Sequence, residues 1–487
     1  MGASYQSAVS LVRLLVRAFF RRVEVSGLEN VPATGGGLIV AWHPNGLVDP
    51  GLILAHCPRQ VVFGARHGLF LVPVLGWVMR GVGAVPIYRA ADAKPGAGDR
   101  RAKNEQSLGA LAEAIASGAF AALFPEGVSH DAPRMMELKT GAARLYYQAR
   151  AAAPDARPVI IPVGLHYDDK RAFRSYALLE FHPPLVLPAE LDVVPDADEP
   201  AERARERAAR LTDELEARLE DIVHPTESWE LHFLMHRARK LVRAERARRA
   251  DADPGRPDMQ EKVLGFGRIW AGYTARLRSH PEEVERVRAR LARYDETLRA
   301  LALEDHELDL DPRLMSPWLG FLLFLQLATV YLVLPPILIV GYLVNLPVAL
   351  LLIAVSKLAS RAYKDEATVK LLLGAVMFPL TWIAVGILAA RGNVWLRAAL
   401  PGVPDVPVLA GVVMALLAAI GGAAGMRYLR VARETARAVR VRLLRRWRRR
   451  EVERLRAERG ALFEAIMVFA VGLELPGRVA ADGRIVR

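Results

Sequence analysis

Short apolar runs alternate with longer amphipathic segments along the first part of the chain, from Gly36 to about Phe181. Apolar runs of this length bounded by Gly or Pro are typical of strands, and the segments between them have helical spacing. The alternation predicts an α/β domain with a mostly parallel sheet flanked by helices. The predicted strands are GGLIVAW, RQVVFGA, GVGAVPI, FAALF, PVIIPVGLH and SYALLEF.

Residues 1–24 carry a different pattern. Apolar side chains recur at helical spacing, while Arg13, Arg17 and Arg21 repeat every fourth residue on the other face. This pattern predicts an amphipathic helix, which either lies in a membrane interface or packs as an ordinary surface helix. The arginines leave no continuous apolar run, so a signal peptide is not indicated.

Residues 201–312 are rich in Arg and Glu and predict a charged helical region without a catalytic motif. Residues 313–427 are dominated by uncharged apolar runs, and about 20 such residues are enough to cross a bilayer. Pro335 and Pro336 interrupt the first run, which favours a helical hairpin and four spans, with three spans as the alternative. The four predicted spans lie near 318–334, 337–356, 371–390 and 406–426.

The charge distribution supports a membrane location. The formal charge of the 487 residues is +13, and between Met426 and Gly460 fourteen arginines accompany only four glutamates. Basic residues directly after an apolar run are typical of a cytosolic segment that contacts anionic lipid headgroups. Stacking aromatic residues are scarce there, which argues against nucleic acid as a partner. Residues 428–487 are therefore predicted to form a basic cytosolic tail.

Four spans would place the N-terminal domain on the same, cytosolic side as this tail. A bacterial inner membrane fits such an arrangement. The single cysteine, Cys57, excludes an intramolecular disulfide and fits a reducing compartment.

The segment WHPNGLVDP directly follows a predicted strand and carries the first candidate catalytic residues, His43 and Asp49. Catalytic groups often lie at strand ends of α/β domains. An imidazole beside a carboxylate is kept in one tautomer and can accept a proton from an alcohol. The segment therefore indicates a general base, although the pair alone is also a common structural arrangement.

Two further strand ends carry groups suited to an anionic substrate. GAVPIYR ends at Arg89, whose guanidinium can bind a phosphate through two hydrogen bonds. FPEGVSHD carries Glu126, Gly127 and Ser129 into a turn whose backbone N–H groups can approach a substrate oxygen. Each segment alone is equally explained as a surface arginine or a plain turn.

Taken in order, WHPNGLVDP, GAVPIYR, FPEGVSHD and PVIIPVG resemble the glycerolipid acyltransferase family, which has HxxxxD, GxxxIxR, FPEG and VIPVG motifs. The resemblance covers about Val25 to Tyr167 and implies an acyltransferase domain over residues 25–200. It implies that His43 is the catalytic base and Asp49 its partner. The substrate-binding residues that go with it are Asn45, Arg89, Glu126, Gly127, Ser129 and Lys139.

This family transfers a fatty acyl group from acyl-CoA or acyl carrier protein to a glycerol-phosphate or lysophospholipid hydroxyl, without a metal or other cofactor. Two features of the chain depart from its common motifs. Five residues rather than four separate His43 from Asp49, so that Val48 occupies the expected acid position, and FPEGVSHD replaces FPEGTRS.

Both departures are similar to the fungal-type glycerol-3-phosphate and dihydroxyacetone-phosphate acyltransferases and their bacterial relatives. The segment DEATVKLLLGAVMFPLTW resembles the same subgroup. The resemblance therefore favours glycerol-3-phosphate as the acceptor in phospholipid biosynthesis. The alternatives are acylation of 1-acylglycerol-3-phosphate or another lysophospholipid and, because of the shifted Asp, a non-catalytic lipid-binding membrane protein.

Overall fold

The computed structural model divides the chain into two compact units. The first contains described residues of Met1–Phe233, Pro257–Gly267 and Ala362–Thr368, and the second contains the remainder. The residues described are 2–88, 100–196, 198–253, 255–309, 317–359, 366–400 and 402–487.

The first unit is built on a seven-stranded sheet. All six predicted strands are present, and a seventh, β1, precedes them. The order across the sheet is β1-β7-β6-β2-β5-β3-β4, and the neighbours pair in parallel except β6 with β7. The strands are β1 (Arg22–Ser26), β2 (Gly37–Ala41), β3 (Val61–Arg66), β4 (Val85–Ile87), β5 (Phe120–Leu123), β6 (Val159–Tyr167) and β7 (Tyr176–Phe181).

Helices cover the sheet, as the alternation of apolar runs and amphipathic segments predicts. The fold class is therefore confirmed: a mostly parallel sheet flanked by helices. The helices of this part of the chain are α1 (Ala3–Phe19), α2 (Val48–His56), α3 (Pro73–Gly81), α4 (Arg100–Ala116), α5 (Gly141–Ala152) and α6 (Ala201–Val223).

The structure corrects the prediction for residues 1–24. Helix α1 ends at Phe19, and the following residues enter the sheet as β1. The apolar face of α1 packs on α2 and α3 of its own unit, and Arg13 Nε donates to the carbonyl oxygen of Ala55 (2.9 Å). The buried side chains of α1 include Val9, Val16 and Phe19, whereas Leu14 is 65% exposed, so α1 packs on the domain through only part of its apolar surface.

Helix α6 also departs from the predicted domain division, which assigned residues 201–312 to a separate charged region. Its apolar residues Ala208, Leu211 and Leu215 recur at helical spacing and belong to the same core as Leu38 of β2. These side chains are buried, so α6 completes one face of the sheet domain.

The helices that follow are longer. They are α7 (Trp229–Arg249), α8 (Met259–Ser279), α9 (Pro281–Ala300), α10 (Pro317–Ala328), α11 (Leu334–Ala359), α12 (Glu366–Ala399), α13 (Pro407–Trp447) and α14 (Arg449–Val468), followed by a small hairpin of β8 (Arg478–Val479) and β9 (Ile485–Val486).

Among the described residues, three helices are long and apolar enough to cross a membrane: Gly341–Leu358, Glu366–Ala399 and Pro407–Val441. The predicted hairpin within the first apolar run is absent, because the backbone passes from α10 to α11 through a π-helical segment, Thr329–Val333, without a turn. Proline has no backbone N–H, so in a helix it cannot donate a hydrogen bond to the carbonyl four residues earlier. For Pro335 and Pro336 these carbonyls lie inside the π segment, where the bonding pattern already changes.

The C-terminal residues are not a simple basic tail. Helix α13 continues through the arginines to Trp447, and α14 packs into a core through Leu462 and Phe463. Arg459 is fully buried and pairs with Glu245 (3.0 Å) and Asp309 (2.6 Å). Part of the positive charge of this segment therefore forms ion pairs inside the second unit.

Candidate functional site

The site lies at one edge of the sheet, where three neighbouring strands end. Strand β2 pairs in parallel with β5 on one side and β6 on the other, so their carboxyl ends meet. His43 follows β2, Glu126 follows β5, and Tyr167 is the last residue of β6. The topology thus brings together residues that are far apart in the sequence.

The structure places the side chains of His43 and Asp49 in contact. His43 Nδ1 lies 2.8 Å from Asp49 Oδ2, and the carboxylate is completely buried while 18% of the His43 side chain is exposed. The ring stacks on Phe124 with centroids 4.1 Å apart. An ionised carboxylate only accepts hydrogen bonds, so Nδ1 carries the proton and Nε2 has the free lone pair. No described residue bonds Nε2.

The extra residue between His43 and Asp49 does not separate them. Asp49 lies in the first turn of α2, and the four residues before α2 form the loop that contains the insertion. The Asn45 backbone N–H donates to Asp49 Oδ2 (2.7 Å) and Val48 N–H donates to the Asn45 carbonyl (3.0 Å). Val48, in the position where the common motif has its acid, is buried.

Tyr167 is a site residue that the sequence analysis missed. Its hydroxyl donates to Asp49 Oδ1, and its ring stacks on Phe20. Burial and the negative charge of Asp49 raise the pKa of Tyr167 well above its usual value, which keeps the hydroxyl protonated as a donor. The sequence did contain a signal for this residue, because Tyr167 lies at the end of a strand that was predicted to belong to the same sheet.

His166 is the neighbour of Tyr167 in β6. Adjacent strand residues point to opposite faces, so His166 does not share the Asp49 side of β6. Burial lowers the pKa of His166 to about 4, which keeps this ring neutral at physiological pH.

Glu126 follows β5, and both of its carboxylate oxygens accept hydrogen bonds from other groups of the protein. Oε2 accepts the His43 backbone N–H (2.8 Å), and Oε1 accepts the Met136 N–H (2.9 Å) and lies 2.7 Å from His130 Nε2. The Ala132 N–H points to His130 Nδ1 (3.2 Å), so the ring proton is on Nε2 and is donated to Glu126. The Glu126 side chain is completely buried, and its carboxylate fixes the backbone of His43.

The other predicted residues differ in their positions. Asn45 is buried, and its side chain donates to the Lys170 carbonyl (3.0 Å). Gly127 is exposed at a φ of +68°, and a Cβ there would lie 2.9 Å from Lys139 Nζ, so the lysine amine passes over this turn. Ser129 is half-buried in the same turn. Arg89 lies outside the described residues.

Two more contacts fix the loop between His43 and Asp49. Lys170 Nζ donates to the Pro44 carbonyl (3.0 Å) and pairs with Asp131 (2.5 Å). The Leu47 N–H donates to the hydroxyl of Thr368, in the first turn of α12, at 3.3 Å. The loop is thereby bound on several sides, although neither contact was evident from the sequence.

The arrangement is suited to general-base chemistry on a hydroxyl. It has a partly exposed imidazole nitrogen, a buried carboxylate that fixes the tautomer, and an exposed glycine turn nearby. Within the described residues, no group of three or more His, Cys, Asp or Glu side chains could bind a metal ion. The fold and this site define an α/β domain with a candidate general base at the edge of its sheet.

Comparison with known proteins defines the domain further. Residues 22–166 match the family model described as Acyltransferase. The match begins at β1 and confirms the resemblance to acyltransferases that the motifs predicted.

The chain is similar to several acyltransferases. It is 24% identical to an uncharacterized acyltransferase of Schizosaccharomyces pombe over 62% of this chain and 55% of that protein. It is 26% identical to glycerol-3-phosphate O-acyltransferase 1 of Saccharomyces cerevisiae over 54% of this chain and 33% of that protein. A chloroplastic 1-acyl-sn-glycerol-3-phosphate acyltransferase of Arabidopsis thaliana is 27% identical over 25% of this chain and 32% of its own length.

The chain thus spans about half, or less, of the length of these relatives. Among solved structures, the crystal structure of PlsC, the 1-acyl-sn-glycerophosphate acyltransferase of Thermotoga maritima, is 18% identical and covers 44% of this chain and 82% of that chain, with a TM-score of 0.29.

Proposed function

We propose that the protein is a membrane-bound O-acyltransferase that moves a fatty acyl group from a thioester donor to the hydroxyl of glycerol-3-phosphate. The observation that carries the proposal is the His43–Asp49 pair with Nε2 open at the sheet edge. The similarity of the surrounding domain to acyltransferases supports the reaction class.

In the proposed reaction, His43 Nε2 takes the proton of the acceptor hydroxyl as its oxygen attacks the thioester carbonyl carbon. The tetrahedral intermediate then collapses, the C–S bond breaks, and the imidazolium returns the proton to the leaving thiolate. Asp49 accepts the Nδ1 hydrogen bond throughout and stabilises the imidazolium. Backbone N–H groups of the turn after Gly127 are the proposed donors to the oxyanion.

For Glu126 we propose a positioning role instead of the substrate contact that the resemblance implies. Its buried carboxylate supports a positioning role, because it accepts the backbone N–H of His43 and the ring proton of His130. Lys139, exposed beside Gly127, is the proposed cation for the acceptor phosphate together with Arg89. The donor is acyl-CoA or acyl carrier protein, and the mechanism needs no metal or other cofactor.

The second candidate acceptor is 1-acylglycerol-3-phosphate or another lysophospholipid. The similarity to the Arabidopsis thaliana enzyme favours it, whereas the FPEGVSHD segment and the similarity to the Saccharomyces cerevisiae enzyme favour glycerol-3-phosphate. A non-catalytic lipid-binding protein is the third candidate, which the contact between His43 and Asp49 disfavours.

Three long apolar helices indicate association with a membrane. We propose that the acyltransferase domain lies on the cytosolic side, as the arginines that follow the last apolar run favour. An enzyme at the membrane can use a lipid donor and release a lipid product without moving long acyl chains through water.

The acceptor is tested with membranes that contain the full chain, given a long-chain acyl-CoA and either glycerol-3-phosphate or lysophosphatidate. The expected result is turnover of glycerol-3-phosphate that falls by about 10² to 10⁴ in His43→Ala. The exposed His280→Ala is the matched control. Preference for lysophosphatidate would establish the second candidate. No turnover of either acceptor, with acyl-CoA or with acyl carrier protein as the donor, would favour the third.

Arg89 is tested by kinetics on the same membranes. If it binds the acceptor phosphate, Arg89→Ala should raise KM for the acceptor by about tenfold or more and leave KM for the acyl donor almost unchanged, since a charge-assisted pair is lost. Equal changes in both constants would contradict the assignment.

A further inference from the structure

Lys170 lies between β6 and β7 and contacts both segments that depart from the common motifs. Its Nζ donates to the Pro44 carbonyl (3.0 Å), in the loop that contains the additional residue. The same ammonium pairs with Asp131, the last residue of FPEGVSHD, at 2.5 Å. One side chain therefore joins two segments that are far apart in the sequence.

A second contact of Lys170 holds the next residue of the loop. The Asn45 side-chain amide donates to the backbone carbonyl of Lys170 (3.0 Å), and the Asn45 backbone N–H donates to Asp49 Oδ2 (2.7 Å). Asn45 is therefore bonded both to Lys170 and to the carboxylate that contacts His43 Nδ1. A displacement of Lys170 would change the position of Asn45 and, through it, the hydrogen bond to Asp49.

The ammonium of Lys170 needs a counter-charge where it lies. Only 14% of the side chain is exposed, and a cation away from water is costly unless a carboxylate pairs with it. Asp131 supplies that carboxylate. The residue before it, His130, donates its backbone N–H to the His43 carbonyl (3.1 Å). The end of FPEGVSHD therefore holds the start of the loop through His130 and holds Lys170 in place through Asp131.

We infer that Lys170 and Asp131 are a positioning pair for the loop between His43 and Asp49, and that the two departures from the common motifs are one adaptation. The additional residue gives the loop more conformational freedom, which opposes its ordering. The contacts of Lys170 with the loop restrict that freedom, so that Asp49 still meets His43. The inference rests on the proposed function, because this loop carries the proposed base.

The first test is Lys170→Met, assayed in membranes that contain the full chain. Methionine nearly keeps the length of the side chain but removes the charge-assisted hydrogen bond to the Pro44 carbonyl. We expect kcat to fall about tenfold and KM for both substrates to stay within about twofold, because His43 and Asp49 remain in place to react.

The matched control is Lys262→Met, which breaks a second lysine–aspartate pair of the same unit. Lys262 pairs with Asp168 at 2.6 Å, and 16% of its side chain is exposed, close to the value for Lys170. Its ammonium lies over the ring of Tyr176, outside the loop. The control should keep kcat within about twofold of the wild-type value.

The carboxylate is tested by Asp131→Asn, alone and together with Lys170→Met. Alone it should lower kcat about three- to tenfold, because the lysine loses its counter-charge. In the Lys170→Met background it should have no further effect, since Asp131 acts through the lysine. Unfolding temperatures in detergent establish that each variant is folded.

Hydrogen exchange followed by mass spectrometry reads the loop without any substrate. The backbone N–H groups of Asn45 and Val48 are bonded within the loop, and in Lys170→Met the peptide that contains them should exchange about tenfold faster. In Lys262→Met it should exchange at the wild-type rate. Faster exchange in Lys170→Met beside a wild type that transfers no acyl group would reject the proposed function and retain the positioning pair.

Three results would overturn the inference. Unchanged exchange in Lys170→Met would show that the pair does not hold the loop, whether or not the wild type is active. A rise in KM for the acceptor with kcat unchanged would make Lys170 a substrate contact. Effects of Lys170→Met and Asp131→Asn that multiply in the double variant would show that the two residues act independently.

Discussion

His43 and His130 both lie against a buried carboxylate at the same edge of the sheet, but the two pairs are built differently. His43 contacts Asp49 through Nδ1 and has Nε2 open, whereas His130 contacts Glu126 through Nε2 and accepts the Ala132 N–H at Nδ1. The exposed fractions of the side chains are 18% for His43 and 6% for His130. One ring can exchange a proton with a ligand, and both nitrogens of the other are bonded within the protein.

The difference shows that a histidine–carboxylate contact does not by itself identify a catalytic group. The unused nitrogen and its exposure distinguish the candidate base from the structural pair. The two pairs are also connected, because Glu126 accepts the backbone N–H of His43 and the His130 N–H donates to the His43 carbonyl (3.1 Å). The buried pair therefore fixes the backbone from which the reactive ring extends.

The largest effect is expected from Asp49→Asn. An asparagine amide can donate to Nδ1 of His43, which favours the tautomer with the proton on Nε2 and removes the base. Activity should fall about 10² to 10⁴-fold, while a side chain of nearly equal size keeps the fold. The measurements are kcat in membranes and the unfolding temperature in detergent, with the exposed Asp213→Asn as control.

A variant Asp49→Asn that keeps most of its activity would show that the His43–Asp49 contact is structural, like that of His130. The comparison between the two pairs would then lose its basis.

Glu126→Gln tests the other pair and should act mainly on stability. Three N–H groups donate to the two carboxylate oxygens of Glu126, and the amide nitrogen of glutamine cannot accept any of them. The free energy of unfolding should fall by about 2 kcal/mol, the cost of leaving a buried donor without its charged acceptor. Chemical denaturation of the full chain in detergent measures it.

Activity of Glu126→Gln, measured below its unfolding temperature, should fall by only about tenfold, because the His43 ring and Asp49 remain. A loss as large as that of Asp49→Asn in a fully stable protein would instead indicate that Glu126 contacts the substrate.

The smallest effect is expected from Tyr167→Phe. The variant removes one donor from Asp49, so kcat should fall about three- to tenfold. With less hydrogen bonding, the Asp49 charge stabilises the imidazolium more strongly, so the acid limb of the pH profile should move to higher pH. Tyr146→Phe removes a tyrosine hydroxyl that contacts Asp192 elsewhere in the same unit and serves as control. An unmoved pH profile would contradict a positioning role for Tyr167.

The sequence predicts the sheet well because each strand is a local apolar run with its own turn residues. Strand β1 was missed because RVEVS is short and half-polar, and its pairing partner β7 is more than 140 residues away. The helical path through Pro335 and Pro336 was also missed. A local proline rule predicts a break there, but the preceding π segment accommodates the lost hydrogen bonds.

In the candidate site, too, some residues could be predicted from the sequence and others could not. His43, Asp49 and the FPEG turn follow strand ends and carry recognisable spacing, so they could be predicted. Tyr167 and Lys170 contact the His43 loop only because β6 lies beside β2, and Thr368 comes from a distant helix. Such contacts depend on the order of strands and helices in space, which spacing along one chain does not specify.

The loop that precedes α2 has a consequence for finding related proteins. It absorbs one additional residue, and the carboxylate in the first helical turn still reaches the imidazole at 2.8 Å. A search pattern that demands a fixed number of letters between histidine and aspartate would therefore discard chains whose atoms meet equally well. Such a loop can be lengthened by insertion without moving the reacting groups. The distance between the reacting atoms is therefore a better criterion of a shared site than the spacing of the residues in the sequence.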